Sequence, residues 1–382
     1  MYPKKGNVMK KTIFVDHTSR IGGAQLSLFD IAIEFKENSS VLLFGDGEFH
    51  KMLKDKNVDV KLYDIEKILY PLKRNVSFFK VCKSAFLLIS KLFTIRKLLK
   101  QYDVVYTNSF KSYVISSLSL IGIKKKVILH LRDALTKDNF SAIVIKTVIN
   151  FTKIFNTNVI ANSSYTKDCF ISSGGNKKQC TVILNAVNAD DFLSISDINY
   201  NEQFLNILSL GRISPWKGQH IVIEAIKDLD FVKLRIVGSA NFGEDEYFNY
   251  LKKLVSDYNL QYRVEFYPFS LDIKEHLSWC NVFIHSSTSP EPFGRVVVEG
   301  MLAGRIVIAT DSGGVPEIIN DESIGILVPP GDATSLKQAI CNIDNNREKF
   351  KTVATQGRKK ALKEFSLPVL FANISSYIDN VK

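Results

Sequence analysis

Glu291 and Glu299 stand eight residues apart in SPEPFGRVVVEGMLAG (289–304), and paired carboxylates at such a spacing can hold hydroxyl groups at two ends of one ligand. With Glu291 near the start of a helix and Glu299 two turns in, a rise of 1.5 Å per residue separates them by ~12 Å, about the span from a hexose to a ribose across a diphosphate. The helix start offers unpaired N–H groups at Phe293, Gly294 and Arg295, and Gly294 allows close approach. A glutamate at a helix start also stabilises the helix by itself. That alone does not explain Pro-Glu-Pro-Phe-Gly as a unit. A second segment, LSLGRISPWKGQHIVIEA (208–225), places Arg212 and Lys217 five residues apart at a strand-to-helix turn. There they can clamp a diphosphate, the arginine as a planar fork and the lysine as a point charge, although such loops also carry simply solvated cations.

Two further features lie in the first half of the chain. In IGGAQLSLFDIA (21–32), Gly22 and Gly23 precede a helix directly after a strand, where backbone amides approach phosphate or a sugar ring. The segment lacks the G-x-G-x-x-G dinucleotide fingerprint, and a glycine pair can also mark only a tight turn. In VILHLRD, His130 stands at the carboxyl end of a buried strand, equally consistent with a satisfied structural group and with a site residue.

These residues must be positioned by alternating strands and helices. Apolar runs at Thr12–Val15, Val41–Phe44, Val58–Leu62, Val104–Tyr106, Lys126–Leu131, Val159–Ala161 and Thr181–Leu184 predict a first set of strands. Runs at Asn206–Leu210, Lys233–Val237, Val264–Tyr267, Val282–Ile284, Ile306–Ala309 and Ile326–Val328 predict a second. Most lack the alternation of half-exposed strands, and helix-length segments such as Ala24–Phe35, Ile221–Asp228, Tyr247–Asp257 and Arg295–Leu302 separate them. That is the pattern of parallel sheets covered on both faces. A length of 382 residues calls for two domains. The polar, strand-free stretch from Asn188 to Gln203 marks their junction. We place domain boundaries at 1–190 and 205–365, a linker at 191–204, and a terminal helix within 366–382 that returns to the first domain. Two doubly wound domains facing each other put a ligand cleft between the carboxyl ends of their strands.

The chain is 46% hydrophobic and 23% charged, and no apolar stretch approaches the ~20 residues of a membrane span, which excludes disordered and membrane-bundle classes. Five scattered cysteines without a Cys-x-x-Cys pair argue against disulfide and zinc frameworks and for a cytoplasmic protein. Residues 1–190 carry 30 Lys+Arg against 15 Asp+Glu, whereas 191–382 carry 20 against 24. Between Lys67 and Lys100 nine basic residues occur with no carboxylate, interleaved with apolar ones in FFKVCKSAFLLISKLF. A solvated helix face and an anionic membrane surface both fit this run. No RNP motif, finger or KH loop accompanies it, so nucleic acid is not the expected partner.

Taken together, GGAQ (22–25), HLRD (130–133), ANSSYTKD (161–168), LNAVN (184–188), LGRISPWKG (210–218), LRIVGS (234–239), EPFGRVVVE (291–299), SGGVPEII (312–319) and GILVPPGD (325–332) resemble the family 4 retaining glycosyltransferases. The resemblance implies the α/β fold called GT-B, with two Rossmann-like domains. It implies a sugar nucleotide on the second domain, a UDP-sugar ahead of a GDP-sugar, and most of the acceptor site on the first. Arg212 and Lys217 then neutralise the diphosphate, Glu299 takes the ribose hydroxyls and Glu291 the transferred sugar. The backbone of Phe293, Gly294, Arg295 and Val296 holds the sugar and distal phosphate. Gly22 and Gly23 close on the donor, and His130 lines the sugar side. Two departures stand out: the family often has alanine at Gly300, and glycine at Pro268 near the base.

The resemblance also implies retaining hexosyl transfer by front-face attack, with the leaving phosphate helping to deprotonate the acceptor. No cofactor or metal is needed, since fixed cations face the developing diphosphate charge. Glu291, His130, Arg212 and Lys217 form the catalytic set. The one Asp-x-Asp, Asp228-Leu229-Asp230, falls at a helix end and is expected to be surface acid. The expected acceptor is a glycan or lipid-linked sugar at the inner face of a membrane, in bacterial surface polysaccharide synthesis. Rival readings are a same-fold epimerase or hydrolase and a catalytically silent nucleotide-sugar-binding partner of a membrane assembly.

Overall fold

The computed structural model describes residues 10–65, 90–198, 203–240 and 243–381. Most of the basic run between Lys67 and Lys100 lies outside these residues; of it, a helix over 90–99 is described.

The chain forms two compact units, one of Met1–Asn185 with Leu370–Lys382 and one of Ala186–Val369. The first contains a seven-stranded sheet ordered β3-β2-β1-β4-β5-β6-β7. Its strands are β1 (Thr12–Asp16), β2 (Ser39–Leu43), β3 (Val60–Leu62), β4 (Val104–Thr107), β5 (Lys126–Leu131), β6 (Asn158–Ala161) and β7 (Cys180–Val182). The second contains a six-stranded sheet ordered β10-β9-β8-β11-β12-β13. These are β8 (Leu205–Leu210), β9 (Val232–Val237), β10 (Val264–Tyr267), β11 (Val282–His285), β12 (Ile306–Thr310) and β13 (Ile326–Val328). Every pairing within the two sheets is parallel.

Parallel strands need crossover helices, which cover both faces and make the strands uniformly apolar. Hence β1, β2 and β12 are buried at every position. Each sheet has its own core, around Val15, Leu42 and Leu129 in the first and Ile207, Ile236 and Ile308 in the second. Strand order reverses between β1 and β4 and again between β8 and β11. At such switch points neighbouring loops diverge and open a crevice at the strands' carboxyl ends. GGAQ follows β1, the Arg212–Lys217 loop follows β8, and the Glu291 loop follows β11.

The segment placed as a linker differs from expectation. Phe192, Ile195 and Ile198 are buried, Arg358 bonds the carbonyls of Phe192 and Leu193, and Arg305 reaches Ser196. Apolar residues at 192, 195 and 198, spaced by three, bury themselves within the second unit despite the polar surroundings. The helix Leu367–Asn380 carries the chain back to the first unit. Lys10 there donates to the carbonyls of Ile378, Asp379 and Val381, and Phe35 packs edge-on against Phe371.

Candidate functional site

In the second unit, the turn after β8 is stitched to the loop after β11. Thr288 donates to the Trp216 carbonyl through its N–H at 2.8 Å, and Ser286 Oγ donates to the Lys217 carbonyl at 2.9 Å. Gly218, at φ +69°, lies so close that a Cβ would overlap the Ser286 carbonyl oxygen. Trp-Lys-Gly is therefore a contact surface as well as a turn. The Lys217 ammonium sits 4.4 Å from the Trp216 ring centroid, and Arg212 approaches the same ring at 5.5 Å.

Glu291 is the centre of this arrangement. Its Oε1 accepts from Lys217 Nζ at 2.5 Å, His285 Nε2 at 2.8 Å and Ser287 Oγ. Burial opposes its ionisation, but the charge and hydrogen bonds of Lys217 and His285 hold the carboxyl well below its ordinary range. Among the described residues, Oε2 takes no side-chain partner. Thr310 Oγ1 lies 3.3 Å from His285 Nδ1, so both ring nitrogens are engaged. Gly313, at φ +66°, packs where a Cβ would strike the Glu291 backbone, and the Gly314 N–H donates to the Glu291 carbonyl at 2.8 Å. SGG thus clamps EPFG from behind.

Two sequence expectations change here. Glu291 is not helical: the helix runs Arg295–Leu302, so the ~12 Å helical spacing to Glu299 does not apply. Pro290 and Pro292 flank Glu291, and the residue before a proline is driven from the α region. Phe293 and Gly294 precede the helix, and their N–H groups have no backbone partner among the described residues. Glu299 lies within the helix, 8% exposed, with Oε1 3.1 Å from Arg295 Nε. Burial raises its carboxyl above the ordinary value against the opposing Arg295 charge.

In the first unit the two glycines differ: a Cβ on Gly22 would lie 3.1 Å from Gln25 Oε1, whereas Gly23 is not demanded by the fold. Gly22 is extended, and a Cβ on Gly23 would meet nothing within 4 Å, so an open space adjoins that helix start. Behind it lies a buried polar network. Asp16, at the end of β1, accepts from Gln25 Nε2 at 3.1 Å and Asn108 Nδ2 at 2.7 Å, fixing GGAQ to the switch point. Arg132 donates through Nε to Asn108 at 2.8 Å and through Nη1 to Ser27 at 2.9 Å and Asn185 at 3.0 Å. His17 follows β1, with Nδ1 held 3.1 Å from Asp16 Oδ1 and 2.8 Å from Ser109 Oγ. His130 is wholly buried, bonded through Nδ1 to the Tyr106 hydroxyl, and its Nε2 has no partner among the described residues. Burial, reinforced by Arg132, drives its pKa well below the ordinary value, so the ring is neutral.

Sequence reasoning passed over His285, Ser287 and the Asp16–Asn108–Arg132 network. The signal that picked out His130, a histidine ending a buried strand, applies equally to His285.

Residues 191–360 match the family described as glycosyl transferases group 1. Over 253 residues the chain is 31% identical to an uncharacterized glycosyltransferase of Methanocaldococcus jannaschii, covering 64% of this chain and 68% of that protein. The chain belongs to the group 1 glycosyltransferases. It is also 32% identical over 160 residues to the lipopolysaccharide core biosynthesis glycosyltransferase LpsE of Rhizobium meliloti, covering 42% of this chain and 45% of LpsE. The crystal structure of Anabaena HepE in complex with UDP superposes with a TM-score of 0.85 at 29% identity, covering 97% of this chain and 99% of HepE. The glycosyltransferase has the GT-B fold, built here from the two doubly wound units.

Proposed function

We propose that this glycosyltransferase moves a hexose from a UDP-sugar to a glycan or lipid-linked acceptor, with retention of anomeric configuration. The observation that carries the reading is the ionised Glu291, held by Lys217, His285 and Ser287 at the β8/β11 switch point. UDP is the base of choice because the HepE structure at 29% identity holds it. LpsE, named for lipopolysaccharide core synthesis, supports a surface-glycan setting.

In this reading Lys217 and Arg212 face the diphosphate. Lys217 uses one N–H on Glu291 and keeps two others for phosphate oxygens. As the glycosidic C–O bond breaks, charge builds on the departing diphosphate, where fixed cations in a water-poor site stabilise it without reorganising. Glu291 Oε2 accepts from a hydroxyl of the transferred sugar. Glu299 binds the ribose hydroxyls, and the N–H groups from Phe293 to Val296 hold the sugar and distal phosphate. Gly22 and Gly23 lie at the first unit's helix start, where open space beside Gly23 leaves room for a ligand. His130, expected on the sugar side, is wholly buried, so its part is to hold the Tyr106 hydroxyl rather than to touch the sugar, and the acceptor proton passes to the leaving phosphate. With cations supplied by side chains, transfer proceeds without a metal.

The test is incubation with UDP-glucose and an acceptor extract, with NMR of the new linkage. An α-linked product from an α-linked donor is expected. A β-linked product contradicts retention, and UDP release without an acceptor points to the hydrolase alternative.

A further inference from the structure

The helix Ala142–Ile154 connects β5 to β6. Because β5 and β6 are parallel, this crossover runs antiparallel to both, and its first turn lies at the sheet's carboxyl end. That is the end bearing His17, Gly22 and Asn108. Val148, Ile149 and Thr152 bury one side of the helix. Its first turn exposes Ile143 (79%) and Val144 (39%), and its last residue, Ile154, is 72% exposed at the opposite end.

Scattered surface aliphatics are ordinary in soluble proteins. Here two are adjacent, and the chemistry around them has one sign. From Ala134 through Lys167 the chain carries four lysines and a single carboxylate, Asp138. Lys137, Lys146 and Lys153 line a cavity of about 410 Å³ whose apolar walls include Leu135, Ile145 and Ile149. Aliphatic side chains at the tip of a helix, flanked by lysines whose stems lie on apolar surface, match an anionic bilayer. Its headgroups meet the ammonium groups and its acyl boundary receives the aliphatics.

We propose that the first turn of helix Ala142–Ile154 docks on an anionic lipid surface, with Ile143 and Val144 entering the acyl boundary. Lys137 and Lys146 contact headgroup phosphates. This deepens the proposed lipid-linked acceptor and rests on it in part, since docking brings the membrane to the strand ends that the first unit offers to an acceptor. It is independent of the basic run between Lys67 and Lys83.

The experiment is flotation of the full chain with vesicles of phosphatidylcholine mixed with phosphatidylglycerol, and with phosphatidylcholine alone. The protein should float with the anionic vesicles and not with the neutral ones. A double Ile143→Glu, Val144→Glu variant should stay unbound, and Lys146→Gln should weaken binding about fivefold, the effect of one lysine near an anionic surface. Because these side chains are exposed, unfolding midpoints and the stabilisation produced by UDP should match wild type. That separates failure of the docking surface from failure of the donor reading. Unchanged flotation of the double variant, no flotation with any vesicle, or a wild-type dimer that the variant dissociates would each overturn the proposal.

Discussion

Replacing Glu291 by Gln removes one charge from a buried pair while preserving shape. Its side chain is 10% exposed and that of Lys217 is 16%, so water compensates little. Breaking one side of a buried pair costs about 3–5 kcal/mol. The amide oxygen can still accept from His285 and Ser287, which recovers about 1–2 kcal/mol. The net loss is about 1–4 kcal/mol. At about 2–4 °C per kcal/mol for a unit of this size, the second unit should melt about 2–16 °C lower. Lys217→Met should cost a similar amount, and the double variant should recover much of it, a coupling of about 2 kcal/mol. Urea unfolding of the four proteins, followed by Trp216 and Trp279 fluorescence, measures the cycle. Additivity within about 0.5 kcal/mol would refute the claim that the two charges act as a pair. Acid supplies a second reading. With the Glu291 carboxyl held below its ordinary 4.5, its stabilisation is complete above that pH and fades as pH falls through the folded value. Wild type should therefore lose stability more steeply than Glu291→Gln below pH 4.5.

Other substitutions probe neighbouring parts of the account. A Cβ on Gly300 would lie 2.8 Å from the Phe283 ring. Gly300→Ala should therefore lower the melting temperature, with about 1–3 kcal/mol of overpacking exceeding the ~1 kcal/mol gain in helix propensity. A rise would show that Phe283 yields freely. The raised carboxyl of Glu299 means that folding favours its protonated form, so its charged form weighs against stability above the ordinary 4.5. Glu299→Gln should equal or exceed wild type in thermal stability at neutral pH while weakening UDP roughly 10–100-fold in titration calorimetry, the loss of one charged hydrogen bond. Gly23→Ala should leave the melting temperature unchanged or slightly raised, because the added Cβ meets nothing and alanine favours the helix. It should still slow transfer roughly tenfold or more if a donor occupies that space, as judged by kcat and KM for UDP-glucose.

Much of the architecture is legible in the chain because parallel strands covered on both faces must be almost wholly apolar. The runs at Thr12–Val15, Val282–Ile284 and Ile306–Ala309 each fall one residue short of a strand buried throughout. The site is legible where one loop carries several chemical groups, as in GRISPWKG and EPFGRVVVE. It is illegible where chemistry is assembled across strands. Ser287 and His285 join Lys217 across the β8/β11 reversal, and Arg132 meets Ser27 and Asn185 from remote segments. No local spacing encodes such pairs. The helical reading of Glu291 failed because its spacing to Glu299 fits a helix, whereas the flanking prolines favour an extended chain. The linker failed because three apolar residues among polar ones still suffice to anchor a short segment.

The central claim is a nucleotide-sugar site in the loops after β8 and β11, and its most direct test is calorimetric titration of UDP, GDP and ADP into wild type and Glu299→Ala. The account predicts binding of UDP in preference to GDP and ADP, and its loss in the variant. Preference for another base, or UDP binding that survives Glu299→Ala unchanged, would contradict it.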